Sequence, residues 1–338
     1  MRFLLSRIEA LVRQVVLELF TGSHETSDVF EENVVQSIRK DAKAFAQIIK
    51  VCDRIYGALD EGECVTKRSV FYSCPHLFGK QRTIDKVLAQ MCCWLKVPRW
   101  ELGVKATDKI RIYGDLVIRE QKIQSKENGD CHSKEVVLPD KGLEDLEMIC
   151  GARFILVVEK DAVFQKILSD NFYDTFKPCL FITAKGYPDL RTRCLLSLIN
   201  RRHPLLPILG LFDADPHGLG VFCTYKYGTR NPTMKGADLR PVKIDQMKLI
   251  GLLPTELMSF QLQKSELIAL NKSDRALLYG IQRRWYFEGD PDLVAQTKAL
   301  LDCGFKAEIE VLDHINPQFL CREYLSMKLR SMGIFPLE

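Results

Sequence analysis

Helical periodicity and short, unbroken apolar runs alternate along this chain. Apolar residues at Leu4, Ile8, Leu11, Val12, Val15 and Leu19 predict an amphipathic helix whose docking, on its own domain or on a partner subunit, stays open. Thr21–Asn33 is polar and reads as a linker, and Val34–Leu59 returns to the helical pattern through Val34, Ile38, Phe45, Ile48, Ile49, Val51 and Ile55. Thr66 is placed to cap a short helix carrying Lys67, Arg68, Phe71 and Tyr72, which Ser73-Cys74-Pro75 ends. Gln81–Leu95 then predicts a second helix with Ile84, Val87, Leu88, Met91 and Trp94 on its apolar face. Leu102–Lys105 and Ile110–Ile118 read as two strands of a hairpin turned at Ala106–Lys109. Helix, turn, helix and hairpin is the order of a winged-helix DNA-binding module, whose second helix enters the major groove.

Further on the pattern changes. Phe154–Val158, Cys179–Thr183 and Ile208–Phe212 are continuous apolar runs separated by helix-length segments, the signature of parallel strands buried on both faces. Met247–Leu253 adds another strand; Val221–Tyr227 reads as a strand or a short helix; Ser273–Gln282, Leu293–Cys303 and Lys306–Asp313 read as helices. The predicted fold class is α/β, α+β overall, with a winged-helix domain followed by a domain built on a parallel βαβαβ core. The predicted divisions are an N-terminal helical region over 1–59, the winged helix over 60–125, a polar linker over 126–150 and the strand-rich domain over 151–338.

The strands matter chemically because of what ends them. FILVVEKD delivers Glu159, and ILGLFDADPHG delivers Asp213 and Asp215. Open α/β sheets bind ligands outside the carboxyl ends of their strands, so the three acids meet at one edge. Such acids can be solubilising caps, a nucleotide site or a metal site. The Asp-x-Asp spacing aims both carboxylates the same way while Pro216 and Gly218 turn the chain aside, which favours the metal. Oxygen ligands suit a hard divalent ion such as magnesium. There is no GxxxxGK[ST] and no GxGxxG, so neither a P-loop nor the dinucleotide turn is present.

Composition changes this picture little. At 338 residues with a net charge of +4 the chain is long enough for two domains and only mildly basic. The basic excess is local, because Thr66–Ser125 holds 12 Lys and Arg against 5 Asp and Glu, a footprint suited to phosphates. The 12 cysteines form no CxxC pair and no regular framework, which reads as reduced intracellular thiols, and Cys131-His132 lacks further ligands for zinc. No run approaches the roughly 20 apolar residues of a membrane helix.

Taken together, VVEKDAVF, ITAKGYPDLRTR, DADPHG and KAEIE, in that order, resemble the Toprim domain and, more closely, the A subunit of type IIB topoisomerase (topoisomerase VI) and its eukaryotic descendant, the meiotic double-strand-break transesterase. The resemblance runs from about Cys64 to Cys321. It implies that Arg68-Ser69-Val70-Phe71-Tyr72 matches the family's tyrosine motif, with Tyr72 as nucleophile and Arg68 beside the attacked phosphate. Ser69 stands where the family usually has an acid. The resemblance further implies Mg2+ on Glu159, Asp213 and Asp215, and DNA contacts from Lys109 and Arg111 in the wing and from Tyr187; Arg191 and Arg193 are candidates to neutralise phosphates. Ala184 and Ile110 replace glycines common in the family. Implied partners are double-stranded DNA, a second copy completing each active site in a homodimer, and a B-like subunit with meiotic accessory proteins. Residence is expected in the nucleus, on meiotic chromosomes. The expected function is DNA cleavage through a 5′-phosphotyrosyl intermediate that starts recombination; the alternatives are a non-cleaving DNA-binding scaffold and a topoisomerase VI A subunit.

Overall fold

A computed structural model describes residues 2–21, 42–97, 101–105, 110–120, 129–130, 146–228, 242–260, 262 and 264–335. These fall into two compact units, one from the chain before residue 108 and one from the chain after it.

The first unit is mainly helical: α1 (Arg2–Thr21), α2 (Ala42–Asp60), α3 (Lys67–Ser73), α4 (Pro75–Phe78) and α5 (Gln81–Leu95). Their periodic apolar residues converge on one core, with Leu4, Ile8 and Leu11 from α1, Val51 and Ile55 from α2, and Ile84, Leu88 and Met91 from α5. Each such side chain, fully buried, contributes about 1.5–3 kcal/mol. Helix α1 therefore packs on its own unit along this stripe; the side chain of Val15 lies outside the described residues. Strand β1 (Val65–Thr66) pairs in parallel with β2 (Val104–Lys105).

Among the described residues, the two runs expected as a hairpin, 102–105 and 110–118, are paired with other strands. The second run breaks at Gly114 into β3 (Arg111–Gly114) and β4 (Leu116–Glu120), which join two different sheets of the second unit. Gly114 sits at φ +121°, where a side chain would run into the carbonyl of Cys179. That close approach lets β3 lie antiparallel on a strand of the acidic sheet, with Ile112 buried. Part of the expected linker is also structured: β5 (Gly129–Asp130) and β6 (Leu146–Cys150) flank β4 in an antiparallel sheet.

At the centre of the second unit lies the predicted parallel sheet. Strands β7 (Ile155–Val158), β8 (Leu180–Thr183), β9 (Ile208–Leu211) and β10 (Lys248–Gly251) run parallel in the order β10-β9-β7-β8, with β3 on the far edge. Because β7 to β9 are covered on both faces, every residue in them is buried, which explains their unbroken apolar runs. Helices α6 (Asp161–Ser169), α7 (Phe172–Phe176), α8 (Leu190–Arg202) and α9 (Pro216–Tyr227) supply those layers. Leu156 and Val158 pack with Phe164 and Ile167 on one face; Ile155 and Val157 pack with Leu195 and Phe222 on the other.

Beyond β10 come β11 (Ile268–Ala269), α10 (Lys272–Gln282), α11 (Pro291–Cys303), β12 (Phe305–Lys306) and α12 (Leu325–Ser331). The helix expected over 306–313 is replaced by β12, paired with β11, and by a tight 3₁₀ turn at Ile309–His314. Between these two, Ala307 bridges to Ala214. Among the described residues, no helix is long and apolar enough to cross a membrane.

Candidate metal centre and tyrosine helix

Tyr72 lies one residue before the end of α3 and is 58% exposed, whereas Val70 on the same helix is fully buried. Four residues earlier, the Arg68 guanidinium sits over the Tyr72 ring, 5.6 Å from its centroid, as their spacing on a helix face requires. Phe71 packs edge-on to Tyr72 at 5.4 Å. The start of so short a helix needs external help, and Thr66 provides it. Its hydroxyl accepts from the Ser69 N–H at 2.9 Å, and the Ser69 hydroxyl accepts from the Thr66 N–H at 3.0 Å, a reciprocal capping box. The departure at Ser69 thus keeps the local bonding an acid would make.

The second unit gathers the acids. Strands β7 and β9 are neighbours in register, Val158 opposite Leu211, so the residues following them emerge side by side. Glu159 and Asp213 are both buried, 8% and 5% exposed, and the Asp213 N–H donates to Oε2 of Glu159 at 2.9 Å. Burial, and then the charge of Asp213, pushes the Glu159 carboxyl up to about 7; burial likewise pushes Asp213 up to about 6. Asp215 caps α9, accepting the Gly218 N–H at 2.6 Å, and its charge reaches both other acids. A Cβ at Gly218 would strike the Asp213 carbonyl, so the DADPHG turn closes only with glycine there.

Neighbours from the VVEKDAVF and KAEIE motifs, to which no role at the site is assigned from sequence, complete it. The Ile309 N–H donates to Oδ1 of Asp213 at 2.9 Å, and the Lys160 ammonium lies 3.1 Å from Oδ2. The same ammonium reaches Glu308 and Glu310, each at 2.9 Å. The KAEIE stretch is therefore a strap over the acids; its signal is the alternation of acid and apolar residues, which suits an extended segment better than the expected helix. After β8, the turn holding Tyr187 is tied to the same place, because the Gly186 N–H donates to the Glu159 carbonyl at 2.7 Å. Tyr187 is half exposed, lies against Gly220 of α9 and has its phenol raised by burial and by the charges of Glu159 and Asp215.

Other candidates are placed elsewhere. Arg111 is on β3 rather than on a wing, 2.9 Å from Asp161 at the start of α6. Arg191 is partly exposed on the first turn of α8, whereas Arg193, expected to face phosphates, is buried, and desolvation lowers its pKa. Lys109 lies outside the described residues.

No three His, Cys, Asp or Glu side chains among the described residues converge as a ready-made metal cage. Both oxygens of Asp213 are engaged, and one oxygen each of Glu159 and Asp215 holds backbone. The donor set nevertheless suits magnesium, which keeps several waters and takes only one or two carboxylates directly. Two buried carboxylates held above their usual range are what a hard cation relieves.

A parallel sheet with a glutamate after one central strand and an aspartate pair after its neighbour defines a Toprim protein, and residues 154–329 match the Toprim domain shared by Spo11 and the A subunit of topoisomerase 6. Residues 43–104, including Tyr72, match the type IIB DNA topoisomerase family. The chain belongs to this family of Spo11 and topoisomerase 6 A subunits. It is 36% identical over 295 residues to the meiotic recombination protein SPO11 of Homo sapiens, covering 87% of this chain and 73% of that protein, and the Mus musculus protein of the same name matches to the same extent. It is 31% identical over 272 residues to the A subunit of DNA topoisomerase 6 from Arabidopsis thaliana, covering 79% of this chain and 61% of that protein.

Proposed function

We propose that this chain cuts duplex DNA through Tyr72 and thereby starts meiotic recombination. The observation that carries the reading is the exposed Tyr72 with Arg68 at 5.6 Å, in a segment matched to the type IIB topoisomerase family. The Tyr72 hydroxyl attacks a backbone phosphorus, its proton passes to solvent or a nearby base, and the 3′ oxygen leaves and takes up a proton. The products are a 5′-phosphotyrosyl bond and a free 3′-hydroxyl, so bond energy is retained and cutting needs no ATP. A neutral phenol is a weak nucleophile, and the Arg68 cation beside Tyr72 is placed to stabilise the phosphate charge that develops.

Glu159, Asp213 and Asp215 would hold magnesium, which supplies charge neutralisation at the DNA backbone when bound. Tyr187, half exposed beside these acids, and Arg191 on the first turn of α8 are DNA-contact residues in this reading. Lys109 and Arg111 add positive charge for the same phosphates. By likeness to this family, a second copy completes each active site in this reading, and a B-like subunit with meiotic accessory proteins licenses cutting in the nucleus.

The test is a covalent-adduct assay. The protein is immunoprecipitated under denaturing conditions from meiotic cells, and free 3′ ends are labelled with terminal transferase. Label migrating with the wild-type protein and absent from Tyr72→Phe is the expected result. No label from wild type, despite expression and DNA occupancy, overturns the reading in favour of a scaffold. The likeness to the topoisomerase 6 protein of Arabidopsis thaliana supports a second reading, a topoisomerase A subunit. ATP-dependent relaxation of supercoiled DNA with a B subunit selects that one.

A further inference from the structure

Lys160 follows Glu159 directly, yet its ammonium does not point to solvent. It is only 28% exposed and sits among three carboxylates, Asp213 at 3.1 Å, Glu308 at 2.9 Å and Glu310 at 2.9 Å. These belong to different parts of the chain. Asp213 follows β9, while Glu308 and Glu310 flank the strap residue Ile309, whose N–H holds the other oxygen of Asp213 at 2.9 Å. The strap is itself held by the Ala307 N–H to the Ala214 carbonyl at 3.1 Å.

The two oxygens of Asp213 are not equally open to a divalent ion. Oδ1 is held by a backbone amide, which a metal cannot replace without moving the strap, and Oδ2 is held by an ammonium, which a metal can replace. Lys160 has somewhere to go, because Glu308 and Glu310 accept it and are much more exposed than Asp213, at 58% and 42% against 6%. A buried carboxylate is strongly disfavoured without a partner, so Asp213 exchanges one cation for another rather than losing both.

We infer that Lys160 is an exchangeable internal counterion, which neutralises Asp213 until a divalent cation arrives and then withdraws onto Glu308 and Glu310. The inference rests on the magnesium reading above. It makes Lys160 a positioning residue that sets how strongly the site holds metal, and it gives Glu308 and Glu310 a purpose that direct ligation does not. Metal must displace the ammonium, so the apparent affinity is reduced by the fraction of chains in which Lys160 has let go of Asp213.

The experiment is a titration of the full chain with Mn2+ alone, following free ion by its paramagnetic resonance signal, with thermal unfolding measured in chelator. Lys160→Met keeps the aliphatic stem and removes the competitor. It should bind Mn2+ about tenfold more tightly than wild type if Lys160 holds Asp213 in about nine chains of ten. The same variant should melt at a lower temperature in chelator and recover when Mn2+ is added. Part of a tenfold gain could come from the altered charge, so Lys160→Met combined with Glu310→Gln restores the net charge of the cluster and also serves if the single variant fails to fold. Tighter Mn2+ binding by this charge-balanced chain supports exchange. Unchanged or weaker binding by it overturns the inference, for Lys160 would then only brace the site. Wild-type chain that binds no Mn2+, or binds it equally well as Glu159→Gln, overturns the magnesium reading itself and the inference with it.

Discussion

Asp213 donates its backbone N–H to the side chain of Glu159 across 2.9 Å, so one acid of the site is oriented by the main chain of the other. The hydrogen bond costs neither residue its charge, but it fixes two buried carboxylates close together. The single Lys160 ammonium beside them does not offset their burial, which still holds both carboxyls above their usual range, and the pH dependence of stability should reveal it.

Glu159 and Asp213 have folded pKa values above their usual range, about 7 and about 6. A raised carboxylate stabilises the fold fully below its unfolded pKa, about 4, and this contribution is lost as pH rises through the folded value. In chelator, the second unit should therefore melt at a lower temperature at pH 8 than at pH 5.5. Glu159→Gln preserves an acceptor for the Asp213 N–H and removes one charge, so it should raise the melting temperature at pH 8 and flatten the profile. It should also abolish stabilisation by added Mg2+. Thermal scans across pH, with and without the ion, decide both points.

The tyrosine helix depends on its cap. Thr66→Ala removes the hydroxyl that accepts the Ser69 N–H and should cost about 1 kcal/mol in denaturant unfolding. Ser69→Asp restores the acid usual in this motif and keeps an acceptor for the Thr66 N–H but gives up the bond its hydroxyl donates to the Thr66 carbonyl at 2.8 Å, so it should cost less than Thr66→Ala. A loss from Ser69→Asp as large as that from Thr66→Ala would show that the donated bond, rather than the accepted one, holds the helix start.

Two glycines should respond in opposite directions. Gly218→Ala places a methyl group into the carbonyl of Asp213 and should destabilise by about 1–3 kcal/mol or more while weakening metal-dependent stabilisation. Gly57 is inside α2 with nothing within 4 Å of its missing Cβ, so Gly57→Ala should stabilise by about 0.5–1 kcal/mol. Equilibrium denaturation of the two variants side by side makes the comparison.

Leu11, on the apolar stripe of α1, is 1% exposed in the core of the first unit and so is not free to meet a partner. Leu11→Ala should cost about 2–5 kcal/mol in denaturant unfolding whether or not a partner is present. Phe3 on the same helix is 75% exposed beside Arg7, so Phe3→Ala should change stability by less than about 0.5 kcal/mol. If α1 docks on a B-like subunit, co-purification should fall with Phe3→Ala even though the fold is intact.

Much of the fold is legible in the sequence because it is written locally. A run such as Ile155–Val158 with no polar residue declares a strand covered on both faces, and the acid that ends it declares the edge of a sheet. What the chain pairs with is not local. Ile110, Ile112, Leu116 and Ile118 alternate identically whether the strand folds back as a wing or joins a distant sheet, and the close approach that Gly114 permits is not written in that alternation. Arg193 reads as a surface cation on a helix, yet its turn of α8 faces the core. The strap at 306–310 is visible as a motif, but its meaning rests on Asp213, far away in the chain.

That last contact also sets an order of events during synthesis. Glu159 and the β7 strand emerge from the ribosome early, Asp213 follows, and the amide of Ile309 that clamps Asp213 comes only after a further 96 residues. Contacts of such long sequence separation form late, because loop closure must be met before they reward the fold. A nascent or prematurely terminated chain can fold its tyrosine helix and much of its sheet while lacking a closed acid centre. In the magnesium reading, the grip on a cation is complete only in a chain synthesised past residue 309.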